Sequence, residues 1–247
     1  MNIKVFKKEL RVYATEDRAK SNAWFFKTGK GQYGEGDIFF GITVPNVRKV
    51  VKNYMLACQG KTLTEGLLKD AVELLNSKYH EERLAGCILM VELFKKEVKN
   101  KNEQEQKKIY TTYLKNTNRI NNWDLVDTSA SNIVGVYLLS RDRKILYKLA
   151  KSKILWERRI AIISTFAFIR KGDYKDTFEI CEILMNDKED LMHKACGWML
   201  REVGKNCSIE TLNIFLEKHA NHMPRTMLRY AIERHRPVER AKFLAKK

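Results

Sequence analysis

Four side chains of this sequence have the types and spacing to stabilise a positively charged sugar on a phosphate polymer. Trp123 and Asp127 stand four residues apart, and residues four apart share one face of a helix. Arg159 and Trp198 follow further along the chain. A carboxylate between aromatic faces stabilises a developing cation, and a guanidinium beside it can hold a phosphate. The sequence therefore predicts a site for chemistry on a sugar–phosphate backbone.

Asp127 also has a structural interpretation. With Asp124 three positions earlier, it could interact with the positive N-terminal end of its own helix. An apolar stripe on the same helix places Asp127 at the edge of the buried face and not in full solvent. The stripe consists of Val126, Ala130, Ile133 and Tyr137.

The tryptophans leave a similar choice open. Trp123 and Trp198 could each be a core residue between helices, or an aromatic surface for a sugar. Trp198 follows the basic residue Lys194 by four positions, which favours a role in binding a nucleic acid. We predict that Trp156, which begins its own helix, lies in the core.

A basic position recurs on several of the predicted helices. Arg159, Lys194 and Arg229 follow one another at steps of 35 residues, and Arg83 precedes Arg159 by 76. Helix pairs repeating every 35 to 47 residues or so are typical of α-solenoids such as HEAT repeats. We predict that these cations form a ladder of phosphate contacts, with chance similarity among basic helices as the alternative. Arg158 could replace its neighbour Arg159 as the contact.

The elements that must position these residues are helices. Only three prolines occur, and apolar residues recur at helical spacing in two clear stripes, Leu84–Phe94 and Ile160–Ile169. No segment alternates with a period of two. Breaks between helices are predicted at Gly60, Asn76–Ser77, Asn116–Asn118, Gly172–Asp173, Gly204–Asn206 and His219–Pro224.

These patterns predict an all-α fold. We expect one HEAT-like repeat domain over residues 1–247, an α-solenoid superhelix with a concave basic groove. N-terminal helices and a glycine-rich loop would occupy residues 1–45 or so, and the repeats would follow from about residue 46. The loop run Gly29–Gly34 matches G-x-G-x-x-G, but no βαβ unit surrounds it, so we predict a flexible loop between helices, whose glycine amides could touch a phosphate backbone.

Composition favours an anionic partner. The chain carries 47 lysines and arginines against 30 acidic residues, a formal net charge of +17, spread along its length. Nucleic acid is the leading interpretation, and a merely solvated lysine-rich surface is the alternative. The sequence shows no signal peptide or membrane span, five cysteines without regular spacing and no histidine pattern typical of metal sites. We predict a reduced cytoplasmic protein, nucleoid-associated if prokaryotic, that needs no cofactor or metal.

Several of these runs resemble the DNA alkylation repair family of HEAT-like repeat DNA glycosylases, of the AlkD type. The resemblance covers nearly the whole chain, and its W-D-x-V-D and K-A-x-G-W motifs are specific in combination. The runs that carry it are Tyr33–Asp37, Phe40–Pro45, Trp123–Asp127, Trp156–Arg159 and Lys194–Trp198.

The resemblance implies an enzyme that removes positively charged N3- and N7-alkylated purines from duplex DNA and leaves an abasic site. It implies that Asp127 is the catalytic carboxylate, that Trp123 and Trp198 flank the deoxyribose and that Arg159 grips the backbone. The resemblance is compatible with a base that stays stacked in the duplex, and extrusion of the base into a pocket is the alternative that the sequence leaves open. Asn122 stands where the family often has a second tryptophan, so the DNA backbone would sit differently there. The chain would act as a monomer without an obligate protein partner.

One carboxylate suffices for such a reaction. Ordinary glycoside hydrolysis needs a second carboxyl group to protonate the leaving group. A cationic alkylpurine already leaves as a neutral base, so only the sugar cation must be stabilised and a water placed. The alternatives are a non-catalytic HEAT-repeat binder of damaged or branched DNA and a protein–protein scaffold. Asp127 disfavours the DNA binder because a carboxylate repels phosphates.

Overall fold

Helices form the regular structure of the chain in the computed structural model, which describes residues 2–58 and 63–245. Over these ranges no β-strand occurs, and one isolated bridge pairs Ile38 with Tyr79. The predicted all-α fold is confirmed. In the same ranges, no helix is both long enough and apolar enough to cross a membrane. The predicted break at Gly60 lies outside the described residues.

The helices gather into two compact units, Met1–Ser129 and Ala130–Lys247. In the first unit, a short 3₁₀ turn at Thr117–Arg119 precedes the last helix. The helices of this unit are α1 (Ile3–Arg11), α2 (Glu16–Phe25), α3 (Val44–Ala57), α4 (Leu63–Leu75), α5 (His80–Lys99), α6 (Glu103–Lys115) and α7 (Trp123–Ala130).

The second unit contains a π-helical turn, Ser131–Gly135, near its start. Its helices are α8 (Lys144–Ala150), α9 (Leu155–Ser164), α10 (Phe166–Ile169), α11 (Lys175–Ile183), α12 (Asp190–Asn206), α13 (Ile209–His219), α14 (Arg225–Ala231) and α15 (Pro237–Ala245).

Polar side chains fix where several of these helices begin. Asn2, Thr43, Asn102 and Ser208 each accept a hydrogen bond from a backbone N–H in the first turn of the helix that follows. Such caps replace the hydrogen bonds that a helix start lacks, and each contributes about 1 kcal/mol. Local sequence therefore sets the starts of α1, α3, α6 and α13.

Helix α5 is the core of the first unit. It packs against α3, α4 and α6, and it is buried along nearly its whole length. The predicted stripe is confirmed by the burial of Leu84, Cys87, Ile88, Val91 and Phe94. In the second unit, α8 packs on α9, and α12 packs on α13 and α14. Pairing of neighbouring helices is what a helical repeat requires, and the superhelix itself stays a prediction.

One predicted helix boundary, the break at Gly204, is wrong. The sequence predicts a break at Gly204–Asn206, whereas α12 runs through these residues and ends at Asn206. A methyl group on Gly204 would come within 2.8 Å of a Leu212 side-chain atom. The glycine therefore lets α13 pack closely on α12 and does not end the helix.

The five cysteines are free thiols, as their irregular spacing in the sequence predicts. Cys87, Cys181 and Cys196 are buried, which confirms their interpretation as small core residues, and Cys58 and Cys207 are half-buried. Burial raises the pKa of the Cys87 thiol to about 12. The Cys87 thiol is thus held in its neutral form.

Candidate functional site

Trp123 is the first residue of α7 and is half-buried. Its ring stacks on Phe26 with centroids 5.1 Å apart and planes 7° from parallel. Phe25 meets the same indole edge-on at 6.0 Å. Trp123 is therefore neither a fully buried core residue nor a loose surface one, because its plane is set by an aromatic neighbour while part of the ring reaches solvent.

Asn122 holds the start of α7 from within the protein. Its side chain is fully buried, and its Oδ1 accepts a hydrogen bond from the backbone N–H of Trp123 at 2.9 Å. Its Nδ2 donates to Oδ2 of Asp37, also at 2.9 Å. The helix that carries Trp123 is thus tied to a residue 85 positions earlier in the chain.

His80 lies between two carboxylates at the centre of this region. Its Nδ1 is 3.0 Å from Oδ2 of Asp37, and its Nε2 is 2.8 Å from Oδ2 of Asp124. Asp37 also receives a hydrogen bond from the buried guanidinium of Arg83. We call Asp37, His80, Arg83, Asn122 and Asp124 the His80 cluster. It places one imidazole and one guanidinium against two carboxylates.

The His80 cluster holds its charges by mutual stabilisation. Burial alone would lower the pKa of His80, but the carboxylates of Asp124 and Asp37 raise it to about 9. Burial would raise the pKa of Asp37, but hydrogen bonding from His80 and the charge of Arg83 bring it below its usual value. His80 is therefore an imidazolium at neutral pH, and each ring N–H donates to one carboxylate.

The glycine-rich loop delivers Asp37 to this cluster. The amide of Gly34 donates to the carbonyl of Lys27, and a methyl group on Gly34 would lie 2.1 Å from the carbonyl oxygen of Phe26. Only glycine fits that approach. Within the loop, the amides of Gly29 and Gly31 bond to the side chains of Gln32 and Glu35. In this structure they are engaged inside the loop, so their predicted phosphate contact stays a prediction.

Asp127 and Asp124 differ in their surroundings although they share α7. Asp124 accepts from His80 and from the backbone N–H of Leu125. Asp127 lies one turn after Trp123 and is half-buried, beside the fully buried Val126. Its position at the edge of the buried face agrees with the position that the apolar stripe predicts. Of the two carboxylates, Asp124 is the one that binds His80.

The predicted phosphate contact Arg83 is a member of the cluster. Only 4% of its surface is exposed, and it donates to Asp37 and to the carbonyl of Ser77. A guanidinium held in this way stabilises the fold around Asp37 and does not present its donors to an outside phosphate. The recurring basic position is thus an interior position on α5.

The tandem arginines of α9 have different partners in the second unit. Arg158 binds Asp187 through two nitrogens, with Nε 2.6 Å from Oδ2, and also donates to the carbonyls of Ser152 and Lys153. Arg159 is 5% exposed and donates from Nη1 to the carbonyl of Leu191 at 2.7 Å. Arg158 is therefore a structural ion pair, and Arg159 points to the start of α12.

Trp198 projects from α12 beside a second aromatic residue. Its half-buried ring lies 6.1 Å from Phe166, and the guanidinium of Arg170 sits 4.0 Å above the Phe166 ring. The glycine before Trp198 lets α14 pack closely on α12, because a methyl group on Gly197 would be 2.5 Å from the carbonyl oxygen of Met227. Trp156 is 7% exposed, which agrees with its predicted place in the core.

Two of the predicted cations reach solvent. Arg229 on α14 is exposed. Lys194 on α12 is half-buried and pairs with Asp190 at 2.6 Å. A partly exposed ion pair of this kind is weak and can exchange its carboxylate for a phosphate. These two residues are the best placed of the predicted ladder to meet a polyanion.

The predicted site residues thus fall into two sets, one in each unit. Trp123 and Asp127 lie together on α7 with the His80 cluster behind them. Arg159, Lys194, Trp198 and Arg229 lie on three helices of the second unit. Among the residues of the described ranges, no group of three or more histidine, cysteine or acidic side chains has the arrangement of a metal site.

Sequence reasoning gave no role to Asp37 or His80, and it considered Asn122 only for its effect on the DNA backbone and not as an anchor of α7. The signal for Asp37 was its place at the end of Tyr33–Asp37, and the signal for His80 was its place at the start of α5, in a turn with three further charged residues. Phe26 and Phe166, which hold the two tryptophans, also went unrecognised because both sit in ordinary apolar runs.

Comparison with known proteins gives three findings. The family model described as "DNA alkylation repair enzyme" matches residues 6–235. A solved structure described as a predicted DNA alkylation repair enzyme from Enterococcus faecalis has a TM-score of 0.68 to this chain at 14% identity, and the match covers 91% of this chain and 97% of that one. No curated protein matches the sequence.

Proposed function

The chain belongs to the DNA alkylation repair enzyme family, and on that basis we propose that it hydrolyses the N-glycosidic bond of N3- and N7-alkylated purines in duplex DNA. The product would be an abasic site and a free base, the first products of base excision repair. The observation that carries the proposal is the pairing on α7 of a half-buried carboxylate, Asp127, with a stacked and partly exposed indole, Trp123.

Asp127 would stabilise the sugar as the bond to the base breaks. An alkylated purine carries a positive charge that passes to the deoxyribose in the transition state. A carboxylate at the edge of an apolar helix face is less screened than one in water, so it attracts this cation strongly. The same carboxylate can orient the attacking water. Trp123 would add the negative face of its ring to that attraction, and the family resemblance implies the same role for Trp198.

The leaving group needs no acid in this scheme. The alkylated base departs as a neutral molecule, and the second carboxylate of α7, Asp124, is held by His80. A site in which one of the two carboxylates of α7 is bound by an imidazolium suits a cationic substrate. This arrangement supports alkylpurines over neutral damaged bases as the substrate class.

DNA binding would be electrostatic. The formal charge of +17 favours a polyanion, and the solvent-reaching Lys194 and Arg229 are the proposed phosphate contacts. We retain Arg159 as the contact nearest the lesion on the family resemblance. Arg83 and Arg158 are left out of the proposal because their donors are engaged by Asp37 and Asp187.

The test is base release from duplex DNA. A duplex with a single 7-methylguanine is incubated with excess protein, and abasic sites are revealed by alkaline cleavage, with an unmodified duplex of the same sequence as the control. Release above the enzyme-free rate on the lesion duplex alone is expected. Tight binding of the duplex without any release would contradict the proposal and indicate a non-catalytic DNA binder.

A further inference from the structure

We propose that His80 positions Trp123 for the reaction by holding the first turn of α7 between Asp37 and Asp124. The inference deepens the proposed function and rests on it for the reaction, whereas the geometry of Trp123 can be measured without turnover. His80 itself is buried, with 1% of its surface exposed, so it acts through other residues and does not touch DNA.

The backbone on both sides of Trp123 is anchored to the same pair of residues. Asn122, before it, donates to Asp37 at 2.9 Å, and Asp124, after it, accepts from His80 at 2.8 Å. Asp37 and His80 are themselves 3.0 Å apart. Trp123 therefore lies between two anchored residues. Asn122 is linked to the imidazole of His80 through Asp37, and Asp124 contacts the same imidazole directly. A shift of that imidazole moves both anchors together.

The indole ring is anchored to the same place through aromatic contacts. Trp123 stacks on Phe26, and Phe26 packs on His80 with ring centroids 5.0 Å apart. Phe39 covers the imidazole at 4.5 Å in a stacked arrangement and contacts Phe26 at 5.0 Å. Backbone anchors and ring contacts therefore converge on His80 by two routes, one polar and one aromatic.

The anchors need the charged form of the imidazole. The groups facing His80 are Asp37 from the glycine-rich loop, Arg83 from its own helix, Asp124 from α7 and the rings of Phe26 and Phe39. Imidazolium donates from both nitrogens, one to each carboxylate. A neutral imidazole donates from only one nitrogen. The lone pair of its other nitrogen would face the second carboxylate and repel it. Loss of the proton therefore releases one of the two anchors.

This geometry distinguishes a positioning role from a merely structural one. A residue that only stabilises the fold changes the melting temperature, while the molecules that remain folded keep a normal site. A residue that positions Trp123 changes the environment of that indole and the rate of the reaction in folded protein. A displacement of a reacting group by an ångström can cost about 10²-fold in rate.

The experiment replaces His80 with glutamine, whose amide donates to one carboxylate and presents an acceptor to the other. Full-length His80→Gln is labelled with 5-fluorotryptophan, and the Trp123 fluorine signal is assigned from Trp123→Phe. Single-turnover release of 7-methylguanine and the duplex Kd are measured on the same samples. The matched control is His219→Gln, since His219 is also a buried histidine, bonded to Glu182 and His222 in the second unit.

We expect His80→Gln to shift or broaden the Trp123 signal and to lower the single-turnover rate by about 10- to 100-fold, with Kd changed less than about twofold. In His219→Gln the Trp123 signal and the rate should stay as in the wild type. The wild-type rate, corrected for enzyme-free release, should fall as the pH rises through about 9, and this limb should be absent in His80→Gln. An unmoved Trp123 signal in folded His80→Gln would overturn the proposal, and so would an unchanged rate.

A second variant keeps the test decisive if His80→Gln does not fold. Asp124→Asn retains an acceptor for the imidazole but removes a negative charge, so relative to the wild type we expect a displaced Trp123 signal and a loss of rate of less than about tenfold. An unmoved signal or an unchanged rate in folded Asp124→Asn would overturn the proposal. Where His80→Gln does fold, the double variant should be no slower than His80→Gln, because both changes break one linkage. Additive losses would contradict a shared linkage. If the wild type releases no base, the proposed function fails, and the fluorine spectra still decide whether His80 holds Trp123.

Discussion

Nε2 of His80 lies 2.8 Å from Oδ2 of Asp124, the carboxylate three residues before Asp127 on the same helix. The contact keeps Asp124 as the partner of an imidazolium. A proton on this pair resides on the ring, whose pKa the two neighbouring carboxylates raise against the effect of burial to about 9. The carboxylate of Asp124 is therefore engaged by the imidazolium of His80.

The first prediction concerns the choice of lesion. We expect release of 7-methylguanine and 3-methyladenine and no measurable release of hypoxanthine or 1,N6-ethenoadenine, because neutral bases leave slowly without a general acid. The four lesions are compared in one duplex sequence under single-turnover conditions. Comparable rates on the neutral bases would mean that a proton donor exists, and the mechanism with one carboxylate would have to be abandoned.

The second prediction concerns Asp127. Asp127→Asn should lower the rate of base release by about 10² to 10³, the usual cost of removing one preorganised electrostatic contact. DNA affinity should be unchanged or tighter, because a negative charge near phosphates is removed. Asp142→Asn is the control, since Asp142 is an exposed aspartate paired with Lys144. Full activity in Asp127→Asn would remove that residue from the mechanism.

The third prediction compares two arginines of the second unit. Arg229→Ala should reduce the slope of log K against log salt by about one, as expected for one lost phosphate contact. Arg158→Ala should leave that slope unchanged and lower the melting temperature, because it leaves Asp187 without its buried partner. Measurement is by fluorescence anisotropy over a salt series. An equal effect of both changes on the slope would show that exposure does not identify the phosphate contacts.

The fourth prediction compares two tryptophans. Trp198→Leu should lower base release at least tenfold or so with a small change in melting temperature, because the half-buried ring is proposed to contact the sugar. Trp156→Leu should destabilise the protein and leave the rate of the folded fraction intact, because Trp156 is a core residue. Thermal melts and single-turnover rates are measured on both variants. A slow but stable Trp156→Leu beside an active but destabilised Trp198→Leu would show that Trp156 contacts the sugar and that Trp198 is the core residue.

The fifth prediction concerns stability against pH. The carboxylates of Asp124 and Asp37 raise the pKa of His80 from its ordinary value of 6.5 to about 9 in the folded protein, so folding binds a proton between these pH values. The stability contributed by His80 should be complete below about pH 6.5 and should be lost as the pH rises through about 9. Urea melts from pH 6 to 10 or so test this, with His80→Gln as the reference. A wild type that loses no more stability than His80→Gln over this range would contradict it.

Much of the fold follows from the sequence because its signals are local. The period of apolar residues identifies the helices, and side-chain caps mark several of their starts. The neighbourhood of Asp127 was also predictable, since Val126 and Trp123 lie on the same short helix. Each of these inferences needs only residues within a few turns of one another.

The His80 cluster was not predictable in this way. Asp37 and Asn122 are 85 residues apart, and neither sits in a pattern that requires the other. The same limit applies to Arg83 and Arg158. A basic residue at a regular spacing looks alike in sequence whether its partner is a buried carboxylate or a phosphate, and only the positions of Asp37 and Asp187 distinguish the two.

The placement of the cysteines has a practical consequence for labelling. Three of the five thiols are buried, while Cys58 in the first unit and Cys207 in the second are half-buried. A thiol-reactive dye therefore reaches one natural position in each unit without prior removal of the other three cysteines. The wild-type chain can in this way carry a donor–acceptor pair, and energy transfer between the dyes reports the distance between its two units with and without DNA.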